Sequence, residues 1–240
     1  MKDYKGKKNK REKFLVVDVE TAGSLGKPLV YDIGVAVCDR YGNIYDSESF
    51  IIWDIFIERE DIMETAYYAD KIPKYRSDIT EGLHTTTPFM IARKHILKMM
   101  EMYKVKKVLA YNMAFDKRAL NHTTDWISDG KHKYFFPYGT QFQCIWHMAC
   151  QTVYQKKSFI KFALNHGFVS KANNIQTNAE VGFAYMTKNP YFKEDHTGLA
   201  DVMIEVQLFA KCIATKMPMD RNIKAMCWKL PQNKRKELGL

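Results

Sequence analysis

The run Phe14-Leu15-Val16-Val17-Asp18-Val19-Glu20 limits what this chain can fold into more than any other stretch. Four bulky apolar residues in succession read as a buried strand. Side chains alternate along a strand, so Asp18 and Glu20 point to one side while Val17 and Val19 point to the other. Two carboxylates held side by side repel unless a cation lies between them or one takes up a proton. A solvated strand end would also accommodate an isolated D-x-E. What the pair means therefore depends on what the rest of the chain brings to it.

The neighbouring sequence predicts an antiparallel meander. After the turn-rich TAGSLGKP, Ile33, Val35 and Val37 alternate with Asp32, Gly34 and Ala36, a strand of period two. Asp39-Arg40-Tyr41-Gly42-Asn43 predicts a hairpin turn, and a third strand runs to about Ile52. Residues 53–86 read as irregular. Thr87-Pro88 has the form of an N-cap followed by proline at the first helical position. Phe89, Ala92, Ile96, Met99 and Tyr103 then follow at helical spacing. Further strands are predicted at Lys107–Tyr111 and near Gln141–Ile145. Helices are predicted over 112–120, 146–154, 157–168 and 176–187, and from Thr197 onward. A meander followed by strands alternating with helices predicts one α/β domain, a mixed sheet flanked by helices.

Composition narrows the partners. A chain of 240 residues with 46% hydrophobic content can bury a substantial core. Its net charge of +10 favours a polyanion, nucleic acid first and an acidic membrane surface second. Cys38, Cys144, Cys150, Cys212 and Cys227 are scattered, without a C-x-x-C pair. This argues against a disulfide framework or zinc site and suits a reducing cytoplasm. No stretch approaches the roughly 20 apolar residues of a membrane span. The expected organisation is a flexible basic arm over residues 1–12, the folded domain over 13–215, and a loosely attached basic tail over 216–240.

Two further segments carry acids that can join the first pair. Asp116, in YNMAFDKRAL, follows a strand at its carboxyl end, where α/β proteins commonly place their sites. On a helix Asn112 and Asp116 share a face, with Phe115 and Leu120 free to pack inward. An acid in a first helical turn is also favoured by the helix dipole alone, and both readings stand. In His196-Thr197-Gly198-Leu199-Ala200-Asp201, five helical positions would turn by roughly 140°. His196 and Asp201 can converge if the histidine lies in the loop and the acid in the early helix. Asp195, Glu194 and Glu205 are nearby alternatives, but each is readily explained as solvated surface charge, and Glu205 four residues after Asp201 could add like-charge strain. The other six histidines are expected at the surface or in satisfied core positions.

Four acids and a histidine thus occur in the order D-x-E, D, H-x4-D. Carboxylates supply both oxygen ligands and charge for hard cations such as Mg²⁺. Two such ions stabilise the attacking and leaving oxygens of a phosphoryl displacement. A histidine, titrating near neutrality, can take the proton of the attacking water.

The motifs VVDVETAG, YNMAFDKRAL and HTGLADV together resemble the DnaQ-like 3′–5′ exonucleases of the DEDDh group, across roughly residues 13–213. The resemblance implies a ribonuclease H-like fold, a mixed sheet combining an antiparallel meander with parallel strands and flanked by helices. It also implies metal-dependent release of nucleoside 5′-monophosphates from the 3′ end of single-stranded DNA. Asp18 would bridge two Mg²⁺ ions, with Mn²⁺ a substitute. Glu20 and Asp201 would hold the ion that activates water, Asp116 would support the other, and His196 would be the general base. Thr21, Ala22 and Leu25 would contact the terminal nucleotide, while Asn112 and Phe115 would line the strand entry or brace the helix.

The chain departs from that pattern at Gly198, where alanine is often found, and a glycine there is expected to loosen the helix start. The link over 53–86 is also longer than usual. Together with the lysine- and asparagine-rich composition, that gives a likeness to small stand-alone phage-encoded members. Tyr111, Phe115 and Trp126 either stack bases or pack in the core. The alternatives are a 3′–5′ exoribonuclease or oligoribonuclease, and a non-catalytic nucleic-acid-binding replication accessory protein. A polymerase-associated subunit would need a docking segment, for which the basic tail with Trp228 is the candidate.

Overall fold

The computed structural model describes residues 12–220 and 226–240. Strands β1 (Lys13–Ala22), β2 (Leu29–Asp39) and β3 (Ile44–Ile52) form the predicted meander. The turn between β2 and β3 is fixed by the Asp39 carboxylate, which accepts the Tyr41 and Asn43 backbone N–H groups at 2.8 and 3.2 Å. β5 (Lys107–Ala110) and β6 (Gln141–Cys144) extend the sheet in parallel beyond β1, and the two-residue β4 (Thr86–Thr87) pairs in parallel with β3. The strand order is β4-β3-β2-β1-β5-β6, the mixed α/β sheet that the sequence predicts.

Ten α-helices surround the sheet among the described residues. They are α1 (Trp53–Phe56), α2 (Glu60–Met63), α3 (Ile72–Thr80), α4 (Phe89–Tyr103), α5 (Met113–Ile127), α6 (Ile145–Gln151), α7 (Lys157–Asn165), α8 (Ala179–Thr187), α9 (Gly198–Ala214) and α10 (Lys229–Glu237). The period-two pattern of β1 and β2 divides two cores. Leu15, Val17, Val19, Ile33, Val35 and Val37 pack with Phe89, Ala92, Ile96 and Leu120 from α4 and α5. Phe14, Val16, Ala36 and Cys38 pack with residues of α6–α9, among them Val202, Val206 and Phe209. β2 is buried along its whole length, so its alternation separates two packed faces rather than core from solvent.

Three local expectations are corrected. The link after β3 is ordered into α1, α2 and α3 rather than irregular. Thr87 belongs to β4 and does not cap α4; Pro88 occupies the cap position, and the Asp54 carboxylate of α1 accepts the Phe89 N–H at 2.6 Å. The C-terminal segment holds α10, anchored where buried Gln232 bonds both the N–H and C=O of Ile175 at 2.9 and 3.0 Å. The basic arm lies outside the described residues apart from Glu12, whose carboxylate meets Lys107 Nζ at 2.7 Å.

Two features of this frame position the acids. β1 pairs with β5 only as far as Val16 opposite Leu109, so beyond that point no described strand covers this edge of β1. α5 starts there, and the Val19 N–H donates to the Asp116 carboxylate. On the sheet's other face the small residues Gly34 and Ala36 let α9 lie directly on β2. A Cβ on Gly198 would sit 2.5 Å from Gly34 N, and one on Gly34 would overlap the Gly198 carbonyl. Gly198 therefore does not loosen the helix start; it seats it. Its N–H donates at 2.9 Å to the Asp32 carboxylate, which also accepts the Tyr75 hydroxyl at 2.6 Å.

Candidate active site

The D-x-E pair lies within β1 and not at its end, on the face that Phe14 and Val16 begin. Opposite the last residues of β1, Tyr31 is an extra residue of β2, a bulge between the pairs Glu20–Asp32 and Thr21–Val30. α5 delivers Asp116 from one side. From the other, the loop before α9 delivers His196 in a left-handed conformation, φ +53°. A non-glycine residue adopts that region at some cost, histidine more readily than most. Thr197 then caps α9 with extended backbone, and Asp201 N–H closes the first turn on Thr197 O at 3.0 Å. The histidine is in the loop and the acid in the first turn, and His196 Nδ1 lies 3.7 Å from Asp201 Oδ2.

Asp18, Glu20, Asp116, His196 and Asp201 all line one cavity of about 330 Å³. Ligand atoms of Glu20, His196 and Asp201 lie within 4.8 Å of one another. Thr21, Leu25, Asn112 and Phe115 line the same cavity, whereas Ala22 does not. Ala22 sits opposite Leu29 at the strand end with its methyl in the core, 1% exposed. Tyr111 lines the cavity wall, while Trp126 lies on the outer surface with the Arg59 guanidinium over its ring.

The cavity wall holds acids and no lysine or arginine among its described residues. Burial, reinforced by neighbouring carboxylates, pushes Glu20 up to about 9. Burial pushes Asp116 up to about 7, and burial with the charge of Asp195 pushes Asp201 to about 7. Burial, then the charges of Glu205, Asp116, Glu20 and Asp201, holds Asp18 well above the usual carboxylate range. Burial lowers the basicity of His196. Among the described residues, Asp201 Oδ1 and Glu194 Oε1 are buried without a hydrogen-bond partner.

Four residues of the site escape the motif reading. Glu205 is 2% exposed, lines the cavity floor, and accepts the Tyr111 N–H at 3.1 Å. It is not solvated surface charge. Its position was legible, since Asp201, Val202, Glu205 and Phe209 fall on one helical stripe. Glu194 is also largely buried, 3.9 Å from His196 Nδ1, and burial raises it to about 8. Tyr68, from the link between α2 and α3, stacks on the His196 ring with centroids 4.0 Å apart and planes 11° apart. Asp32 holds the start of α9 from beneath. No local sequence pattern points to Tyr68 or Asp32.

No family model and no curated protein matches the chain. Solved structures do. The zinc-bound complex of E. coli exonuclease I with single-stranded DNA has a TM-score of 0.51 and 16% identity, covering 87% of this chain and 41% of that one. Product-bound exonuclease I has a TM-score of 0.52 and 15% identity, covering 96% of this chain and 48% of that one. The chain has the ribonuclease H-like fold. It spans less than half the length of these exonuclease I chains. The likeness to these structures is one of fold.

Proposed function

We propose that this protein is a metal-dependent 3′–5′ exonuclease that shortens single-stranded DNA and releases nucleoside 5′-monophosphates. The observation that carries the reading is the meeting of Asp18, Glu20, Asp116, His196 and Asp201, from three distant segments, around one cavity lined by no lysine or arginine among the described residues. A wall of raised carboxylates with an orphaned buried oxygen on Asp201 is a donor set for hard divalent cations. Asp18, Glu20, Asp116 and Asp201 would hold two Mg²⁺ ions, with Mn²⁺ a substitute. Bound there, the ions would supply Lewis-acid stabilisation of the charge that builds on the phosphate oxygens.

The chain's own residues do the rest. His196, neutral near pH 7 because burial lowers its basicity, takes the proton from the water that attacks phosphorus. The bond from phosphorus to the 3′ oxygen of the preceding nucleotide breaks, and that oxygen takes a proton from solvent, leaving a 3′ hydroxyl on the strand and a 5′-phosphate on the product. Thr21 and Leu25 meet the terminal nucleotide, and Asn112 and Phe115 bound the cavity where the strand enters. Tyr68 holds the imidazole plane by stacking.

The neighbours crystallised with single-stranded DNA favour DNA over RNA as substrate. Exoribonuclease or oligoribonuclease activity is the second reading, because the same acids and histidine serve either sugar. A 2′-hydroxyl contact would be needed to select RNA. Matched 5′-labelled DNA and RNA oligomers with Mg²⁺, resolved at single-nucleotide steps, test both. A ladder shortening from the 3′ end, faster for DNA, is the expected result. A faster RNA ladder would transfer the assignment to RNA. No cleavage of either, with salt-sensitive binding retained, would mean a binding protein, the replication accessory role, in which a polymerase or other replication protein is the partner to seek.

A further inference from the structure

We infer that a basic groove along the outer face of α5 holds the phosphates of the strand 5′ to the nucleotide in the cavity. This rests on the exonuclease reading and extends it by giving the incoming strand a path. The groove, about 710 Å³, is lined by Lys27, Lys117, Arg118, His122 and Lys133, with Asp125 as its one acid. Lys27, Arg118 and Lys133 are exposed, and none of them forms an ion pair among the described residues.

The groove joins the cavity directly. Arg118 Nη2 donates to the Leu25 carbonyl at 3.3 Å, and its guanidinium lies 5.5 Å from the centre of the Phe115 ring. Leu25 and Phe115 are both cavity residues, so a strand leaving the cavity past them meets Arg118 next. The contrast in charge gives the direction of travel. The cavity is acidic and needs cations to accept a phosphate, while the groove beside it is basic and needs none. Tyr134, 67% exposed at the groove's margin, offers a ring on which a base can stack. Basic groups tracking a backbone beside an exposed aromatic ring are the usual means of holding single strands without reading sequence.

The test is binding of a dT16 oligomer and of a dT3 oligomer to Asp18→Ala protein, with and without Lys27→Ala, Arg118→Ala and Lys133→Ala together, across a range of salt. Each phosphate neutralised on a single strand contributes about −0.7 to the slope of log affinity against log salt. Removing three such contacts should flatten the dT16 slope by about 2 and weaken dT16 about tenfold at low salt. Binding of dT3, which the cavity holds, should change less than about twofold. Unchanged melting behaviour checks that the triple variant is folded, and the three single variants replace it if it is not. An unchanged dT16 slope would overturn the groove. Equal competition by a 16-residue poly-glutamate peptide would also overturn it, in favour of an acidic protein partner. The outcome is separable from the exonuclease reading. A flattened slope in a protein that cuts no strand keeps the groove and removes the nuclease, while normal strand shortening with an unchanged slope does the reverse.

Discussion

The acid-bearing half of the site and the ring-bearing half are built in different ways. Asp18, Glu20, Asp116 and Asp201 sit on a strand and on the first turns of two long helices, with Asp18 half-buried and the other three buried. Tyr68 and Tyr75 come from the link over 53–86, from short helices and turns at the rim. The first half sets where charge is held. The second sets how His196 and the start of α9 are held, through the stacked Tyr68 ring and the Tyr75 hydroxyl on Asp32. If this division is right, damage to the acid half should abolish chemistry, and damage to the ring half should only degrade it.

The largest expected effect short of losing an acid is at His196, where the two halves meet. His196→Ala should lower kcat by roughly 10²–10⁴-fold while metal binding persists. A rate near pH 7 equal to that of the unaltered protein would remove the base from the account. Tyr68→Ala should cost far less, about tenfold or below in kcat, because a stacked ring contributes only about 0.5–1.5 kcal/mol beyond its burial. A loss as large as that of His196→Ala would mean that the rim does chemistry, and the division would fail.

The seat of α9 belongs to the acid half but should respond in stability. Gly198→Ala forces a Cβ against Gly34 backbone and should destabilise the fold by about 1–3 kcal/mol, read by chemical denaturation. Glu205→Ala leaves the Tyr111 N–H without its acceptor and should cost about 1–3 kcal/mol. Glu205→Gln keeps an acceptor and should cost less. Equal losses for the two would show that the charge of Glu205, and not its hydrogen bond, is what the floor needs.

The smallest and most general effect is on pH dependence. Glu20, Asp116, Asp201 and Glu194 have folded values raised to about 9, 7, 7 and 8, above those of the unfolded chain. Over that window the folded state binds more protons than the unfolded state, so stability falls as pH rises. With divalent ions chelated, the melting temperature should decline from about pH 5 to pH 9. Mg²⁺ should raise it most at the alkaline end. A flat profile unaffected by Mg²⁺ would show that the acids are not held together without compensation.

The legibility of the molecule followed the same division. D-x-E on a strand, Asp116 after β5 and the H-x4-D spacing were readable because short-range periodicity fixes which way each side chain faces. That His196 and Asp201 can converge with the histidine in the loop also followed from helix geometry. Glu205 reads as surface from its charge alone, although Val202 and Phe209, which share its helical stripe, are buried. Tyr68 and Asp32 were invisible for another reason. Their partners lie 128 and 166 residues away along the chain, and nothing local in Tyr67-Tyr68 or in a strand aspartate announces a contact made across the fold. Gly198 was legible as unusual but not as necessary, because its constraint is the backbone of Gly34.

Strand shortening by Asp18→Ala beside the unaltered protein, on a 5′-labelled single-stranded DNA with Mg²⁺, decides whether these acids carry the chemistry. The account predicts a ladder from the 3′ end with the unaltered protein. It predicts none with the variant, which should still bind the strand. A variant that shortens the strand at the unaltered rate, in a preparation free of other nucleases, would show that the chemistry lies elsewhere.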